Sequence, residues 1–342
     1  MSRHRRAGIG AAGVALAAVV AGGLGAGAAQ AESFTMGYSV GFLTDPFQAI
    51  QVDLTMAEAE KAGLQTLPVA NANGDPGKQI TDFHNLIAQG AEGIIVVPTD
   101  SDAIVPALTH AASQNVPVVA IDIGPAGGEV AMIVRADNIR MGEDACQTMG
   151  EALGGQGKVL SMMGDQATTN GRDRTTGFNQ CMAEHFPDIE VIEQPTYWKT
   201  DRATSVAQTV VTSTPDLAGI YMQSDSVMLA GVLNVLKSAD RLTKVGEPDH
   251  VYLVSIDATP FALKQVREGW LDAAISQPLD LYVKYGLQYL QDAVAGKEFA
   301  TGPTDHDSRV EEFNGNLMDL LPAPTVTEAN VDDETLWGNQ VQ

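Results

Sequence analysis

A small set of charged, polar and aromatic residues falls just past the ends of apolar runs. Asp45 and Phe47 follow the first run, Asp122 the fourth, Arg172 and Arg174 the sixth, and Trp198 the seventh. Ser224 and Asp225, then Asp257, then Gln277 follow the later ones. Carboxylates accept from paired hydroxyls, arginine donates to ring or hydroxyl oxygens, and an aromatic face covers the C–H side of a sugar. The set suits a small neutral polyhydroxylated ligand. The sequence has no Gly-x-Ser-x-Gly elbow, no His-Glu-x-x-His pair and no Cys/His cluster, and its six histidines are scattered. No catalytic residue, metal site or cofactor is therefore expected.

The elements that must position these residues are plainest in segment 93–122. Ile94 to Val97 stops at Pro98, Asp100 and Ser101 cap a helix, and Val116 to Ile121 ends in Asp122. Both runs are apolar on both faces, as parallel strands covered by helices are. Ligands of such sheets lie beyond the carboxyl ends of the strands, which makes Asp122 ligand-facing. From Phe34 onward the same alternation predicts strands over 34–41, 64–70, 93–97, 117–121, 131–134, 157–163, 189–194, 218–223, 250–256 and 271–276, most of them followed by a helix. The expected fold class is α/β, with two doubly wound parallel-sheet lobes joined by a multi-crossing hinge and a ligand cleft between them. Crossings are placed near 136–138, at Gln277-Pro278, and within Thr301 to Arg309 ahead of a strand-like Leu317 to Leu321. The N-terminal lobe is then 32–136 plus about 278–308, and the C-terminal lobe 137–277 plus about 309–342.

The N-terminus has a basic head, an Ala/Gly-rich middle and Ala29-Gln30-Ala31, the form of a secretory signal peptide over 1–31. The mature chain is expected to be exported, periplasmic or equivalent, and soluble. Arg5-Arg6 leaves the Sec and twin-arginine routes both open. Losing three arginines with the leader moves the formal charge from −23 to −26, which disfavours nucleic acid as a partner. Cys146 and Cys181 lie on two predicted helices. An oxidising compartment permits a bridge, and two buried unpaired thiols fit as well.

At this point a resemblance becomes specific. Asp45-Pro46-Phe47, Val97-Pro98-Thr99-Asp100-Ser101-Asp102-Ala103, Ile121-Asp122, the run Gly171 to Phe178, Gln223-Ser224-Asp225 and Ile256-Asp257-Ala258-Thr259-Pro260 resemble, in order and spacing, the ribose-binding-protein-like solute-binding proteins of ABC sugar importers. The resemblance implies that Phe47 and Trp198 are aromatic walls. It makes Asp122, Arg174, Asp257 and Gln277 the main polar contacts, with Asp45, Gln48 and Ser224 alongside. It also implies a monomer that delivers its ligand to an ABC permease driven by an ATPase. Ile123, Val97 and Ser224 replace an arginine and two asparagines of the ribose binders, which speaks against ribose and toward a smaller, linear or deoxygenated polyol.

Plainer roles compete at several positions. Phe47, spaced with Ile50 and Leu54, also fits a core, Arg172 a surface ion pair, Asp225 a helix cap, and Gln277 a hinge. Gly155-Gln156-Gly157-Lys158 precedes a strand and is a turn rather than a phosphate loop. Two other classes remain as alternatives: a ligand-presenting sensor for a membrane receptor, and a secreted sugar-modifying enzyme, for which the turn 41–46 supplies neither a phosphate cradle nor a nucleophile.

Overall fold

Strands and helices alternate through the computed structural model, which describes residues 33–341. The leader expected over 1–31 lies outside the described residues. The chain begins β1 (Thr35–Val40), α1 (Pro46–Lys61), β2 (Gln65–Thr66), β3 (Ala70–Asn71), α2 (Pro76–Ala88), β4 (Gly93–Val96), α3 (Val105–Ser113), β5 (Val118–Ile121) and β6 (Met132–Ala136). It continues as α4 (Asn138–Ala152), β7 (Gly157–Met163), α5 (Thr169–His185), β8 (Ile189–Pro195), α6 (Thr200–Ser213), β9 (Leu217–Met222), α7 (Asp225–Ser238), β10 (Tyr252–Asp257), α8 (Pro260–Arg267) and β11 (Ala273–Ser276). It closes with α9 (Leu279–Val294), β12 (Gly302–Pro303), β13 (Arg309–Phe313), β14 (Asn316–Leu321), β15 (Thr325–Val326) and α10 (Trp337–Gln340).

Two sheets result, one per lobe. The first runs β12-β13-β14-β6-β5-β4-β1-β2, with β3 also paired to β1, and the second runs β15-β11-β10-β9-β7-β8. Their interiors are parallel, and strands such as Ile94 to Val96 and Val118 to Ile121 are buried on both faces, as the apolar runs require. The strand order reverses at β1 and again at β7, and sites in doubly wound sheets open at such reversals.

Three differences from the sequence-based expectation have physical causes. The strand expected over 64–70 is two short strands on either side of Pro68, which has no N–H to give to a ladder. The sheets are mixed, because β12, β13 and β15 pair antiparallel at their edges. The third crossing lies at 322–324, after β14, rather than within 301–309. Strands β13 and β14 form a hairpin closed by Asn314-Gly315, both at positive φ (49° and 78°), and β14 extends the first sheet beside β6. Residues 309–321 therefore join the N-terminal lobe, and an Asn-Gly pair between strands is the signal for such a turn.

Cys146 on α4 and Cys181 on α5 form a disulfide, with Cα atoms 6.1 Å apart. Of the two readings left open, the bridge is the one present. Gly155 and Gln156 lie in the connection between α4 and β7, and Gly157 and Lys158 open β7.

Candidate functional site

Asp45 caps α1, accepting from the Phe47 N–H at 3.0 Å, with Pro46 pre-setting the first turn. That cap turns Phe47 and Gln48 inward. The Phe47 ring meets Trp337 edge to face at 5.5 Å between centroids, so it is both core and cavity wall. Gln48 Oε1 accepts from the Phe42 N–H at 2.9 Å. Asp122 follows β5 with φ +63°, a left-handed turn that aims its carboxylate out of the sheet. Its Oδ1 accepts from Asn170 Nδ2 of the other lobe at 2.8 Å.

Arg174, on α5, faces Asp122 across the cleft and is 2% exposed. Its Nε donates to Asn138 Oδ1 at 2.7 Å and its Nη1 to the Gln223 carbonyl, while the buried Nη2 has no protein partner. The guanidinium lies 5.8 Å from the centre of the Trp198 ring, within cation–π range. Tyr197 and Trp198 both have φ +56°, and the Trp198 ring rests on Gly164 where any Cβ would collide with it. Asp257 ends β10 at φ +114° and gathers donors from three elements. Ser224 Oγ donates to it at 2.7 Å, Gln277 Nε2 at 2.9 Å and the Ser226 N–H at 3.3 Å, while Arg174 Nη1 stands 3.9 Å away. Tyr282 donates to Gln277 Oε1 at 2.9 Å and accepts from the Ala136 N–H at 2.9 Å, which ties two chain crossings to the site.

All nine residues singled out from the sequence line one cavity between the lobes, joined by Ile123 and Asn170. Its volume is ≈ 30 Å³, far below the roughly 300–1,000 Å³ typical of small-molecule sites, so the lobes leave little free space between them. Two strand-end residues lie elsewhere. Arg172 is on the rim, donating to the Gln166 carbonyl at 3.0 Å and reaching Asp102 of the first lobe at 3.5 Å. Asp225 is a buried brace that accepts from the Ala258 N–H at 2.8 Å and Thr259 Oγ1 at 2.6 Å, rather than a cap for its own helix. Sequence reasoning missed Asn170, Ser226 and Trp337; Trp337 Nε1 donates to the Asp257 carbonyl at 2.8 Å.

The cavity is short of positive charge. Asp45, Asp122 and Asp257 face it, and Arg174 is the one lysine or arginine among its described lining residues. Burial, then the Asp257 charge, pushes the Asp45 carboxyl up to about 7. Burial lifts Asp122 to about 6 although Arg174 opposes the rise, and burial raises Asp257 too. Asp45 is thereby protonated in part at neutral pH, and a protonated carboxyl both accepts and donates hydrogen bonds. Among the described residues no group of three or more His, Cys, Asp or Glu is arranged to hold a metal ion.

The model of the periplasmic binding protein domain matches residues 36–298. The chain belongs to the periplasmic binding protein family. It is 30% identical to the ribose import binding protein of Escherichia coli K12 over 264 residues, which span 77% of this chain and 86% of that one. It is 29% identical over 282 residues to a xylitol-binding protein of Mycolicibacterium smegmatis, covering 80% of this chain and 74% of the relative. Among solved structures it superposes on an ABC transporter solute binding protein from Mycobacterium smegmatis with bound glycerol, with TM-score 0.76, 24% identity, and coverage of 88% and 96%. A Caulobacter myo-inositol binding protein matches with TM-score 0.76 and 24% identity over 87% and 94% of the two chains. These likenesses establish a two-lobe periplasmic binding protein fold with the cleft between the sheets. The family consists of solute-binding proteins, and no helix among the described residues is long and apolar enough to cross a membrane.

Proposed function

We propose that this periplasmic binding protein is exported, captures a small neutral sugar or polyol between its lobes as a monomer, and delivers it to an ABC permease driven by an ATPase. It is a carrier and not an enzyme. The observation that carries this reading is the buried, unpartnered Nη2 of Arg174 beside three carboxyls and two aromatic faces. A buried donor left without a partner costs about 1–3 kcal/mol, and a ligand hydroxyl oxygen recovers it. The carboxyls take the ligand's hydroxyl hydrogens, and Phe47 and Trp198 cover its C–H faces. The names of the relatives, which include ribose, xylitol and apiose binders, support the ligand class.

Ribose itself fits less well, because buried Ile123 lines the cavity with an apolar surface where the resemblance puts an arginine fork in ribose binders. The nine lining residues are proposed as ligand contacts. The three chain crossings are proposed as the hinge, and a ligand touching both lobes shifts the population toward the closed form. A thermal-shift screen of residues 32–342 against pentoses, hexoses, tetritols, pentitols, hexitols and inositols tests the reading, with amino acids and nucleosides as controls. A native-state ligand raises the midpoint in proportion to RT ln(1 + [L]/Kd). A rise with one sugar or polyol is expected. A response to nucleosides or amino acids alone would overturn the ligand class.

A further inference from the structure

A file of four oxygens crosses the cleft. Asp45 Oδ1 of the first lobe lies 2.6 Å from Ser226 Oγ, Ser226 Oγ lies 2.9 Å from Ser224 Oγ, and Ser224 Oγ lies 2.7 Å from Asp257 Oδ2. Every spacing is within hydrogen-bond range. Each serine hydroxyl owns one hydrogen. With both carboxyls ionised, three contacts share two hydrogens, and one pair of oxygens faces lone pair to lone pair. One added proton fills the file. It runs from Asp257 through Ser224 and Ser226 to Asp45, or in reverse from Asp45 to Asp257.

We infer that closing the cleft takes up one proton from solvent, shared between Asp45 and Asp257 through Ser226 and Ser224, with Ser226 as the residue that makes the coupling. This rests on the reading that the lobes close on a ligand. Asp45 and Ser226 belong to different lobes, at the starts of α1 and α7, so their contact breaks on opening. Water then solvates each carboxylate separately, and the shared proton leaves.

The surroundings favour uptake over ionisation. From the first lobe Asp122 after β5 faces the pair and acts in turn on Tyr38 of β1, with Arg135 of β6 behind Asn170. From the second come Arg174 on α5, Tyr221 on β9 and Asp225 on α7, and Tyr282 of α9 reaches Asp257 through Gln277. Arg174 is the nearest cation, and its closest approach to Asp257 is 3.9 Å. The rise of Asp45 to about 7 agrees with the hydrogen count.

The sign follows from linkage. A carboxyl whose closed-form pKa exceeds its open-form value tightens binding as pH falls. Affinity then drops about tenfold per pH unit as pH rises between an ordinary carboxylate value and about 7, and is flat above.

Two measurements separate this inference from the reading beneath it. Ser101 and Ala167 pair across the rim, Ser101 N–H to Ala167 carbonyl at 3.0 Å, so oxidised Ser101→Cys/Ala167→Cys holds the lobes closed without ligand. Carboxyl ¹³C NMR of aspartate-labelled protein, assigned with Asp45→Asn, is expected to show the Asp45/Asp257 pair gaining one proton near pH 7. Ser226→Ala should move that step down by at least one pH unit. Two ionised carboxyls at pH 6 in the locked protein, or a step unmoved in Ser226→Ala, would overturn the proposal. In parallel, xylitol, D-ribose and glycerol are titrated calorimetrically from pH 5 to 8 in buffers of differing ionisation enthalpy. Any that binds is expected to bring about one proton with it below pH 7, and pH-independent binding without proton uptake would also overturn the proposal. Failure of all three to bind weakens the ligand assignment, while the locked protein still decides the proton.

Discussion

Arg174 is the one lysine or arginine among the described residues that line the site. Two of its nitrogens are engaged by Asn138 and Gln223, which fix the guanidinium plane over Trp198 and leave Nη2 for a ligand oxygen. Arg174→Ala is expected to weaken binding of the best ligand from the screen by at least tenfold, or about 1.4 kcal/mol. Arg174→Lys should recover only part, because an ammonium cannot replace a planar fork. Calorimetry at a temperature well below the midpoint of each variant checks both. Near-wild-type affinity in the alanine variant would put the ligand elsewhere. The lining residues were legible in the sequence because they end apolar strands, where ligand-facing positions are set by topology. Asn170, Ser226 and Trp337 were not. Their partners Asp122, Asp45 and Asp257 lie 48, 181 and 80 positions away, and no local pattern carries such a pairing. The left-handed backbone at Asp122 and Asp257 was equally hidden, since aspartate is ordinary at a strand end.

At the scale of elements, the α4–α5 pair carries the arginine. Gly142 on α4 lies against the Arg174 carbonyl and Gly177 on α5 against the Ile139 carbonyl, each so close that a Cβ would not fit. The disulfide fastens the same two helices, closing a loop of sequence separation 35. In the chain-entropy model such a loop is worth about 3–4 kcal/mol. Cys146→Ser/Cys181→Ser is expected to lower stability by about that amount in urea unfolding, with the slope read alongside the midpoint. A loss below about 1 kcal/mol would show that helix packing alone sets the pair. Periodicity and turn residues located most elements: 93–97 and 117–121 appear as β4 and β5, shortened at one end. The tail departs from the expected lobe because the Asn314-Gly315 turn pairs β14 with β13 and sets it beside β6. Helix α5 begins at Thr169 because Thr168 caps it by accepting from the Gly171 N–H at 3.2 Å.

At the scale of the whole molecule, buried acids and net charge make stability depend on pH in one direction. Burial raises Asp122 to about 6, Asp45 to about 7 and Asp225 to about 8, each from 3.8. A carboxyl whose folded pKa exceeds its unfolded value holds its proton more tightly when folded. Its contribution is complete below 3.8 and is lost as pH rises through the folded values, between about 6 and 8. The thermal midpoint is therefore expected to be higher at pH 5 than at pH 8. A formal charge of −23 acts the same way, since protonation relieves self-repulsion. Salt tells the two apart. Surface repulsion is screened over about 8 Å at physiological ionic strength and over about 3 Å at 1 M, whereas buried groups are screened far less. Most of the difference should thus survive 1 M sodium chloride, and Asp122→Asn, which keeps the acceptor for Asn170 Nδ2, should remove part of what survives. A midpoint that becomes flat from pH 5 to 8 in high salt would assign the effect to the surface, and the cleft carboxyls would then be ordinary acids well served by solvent.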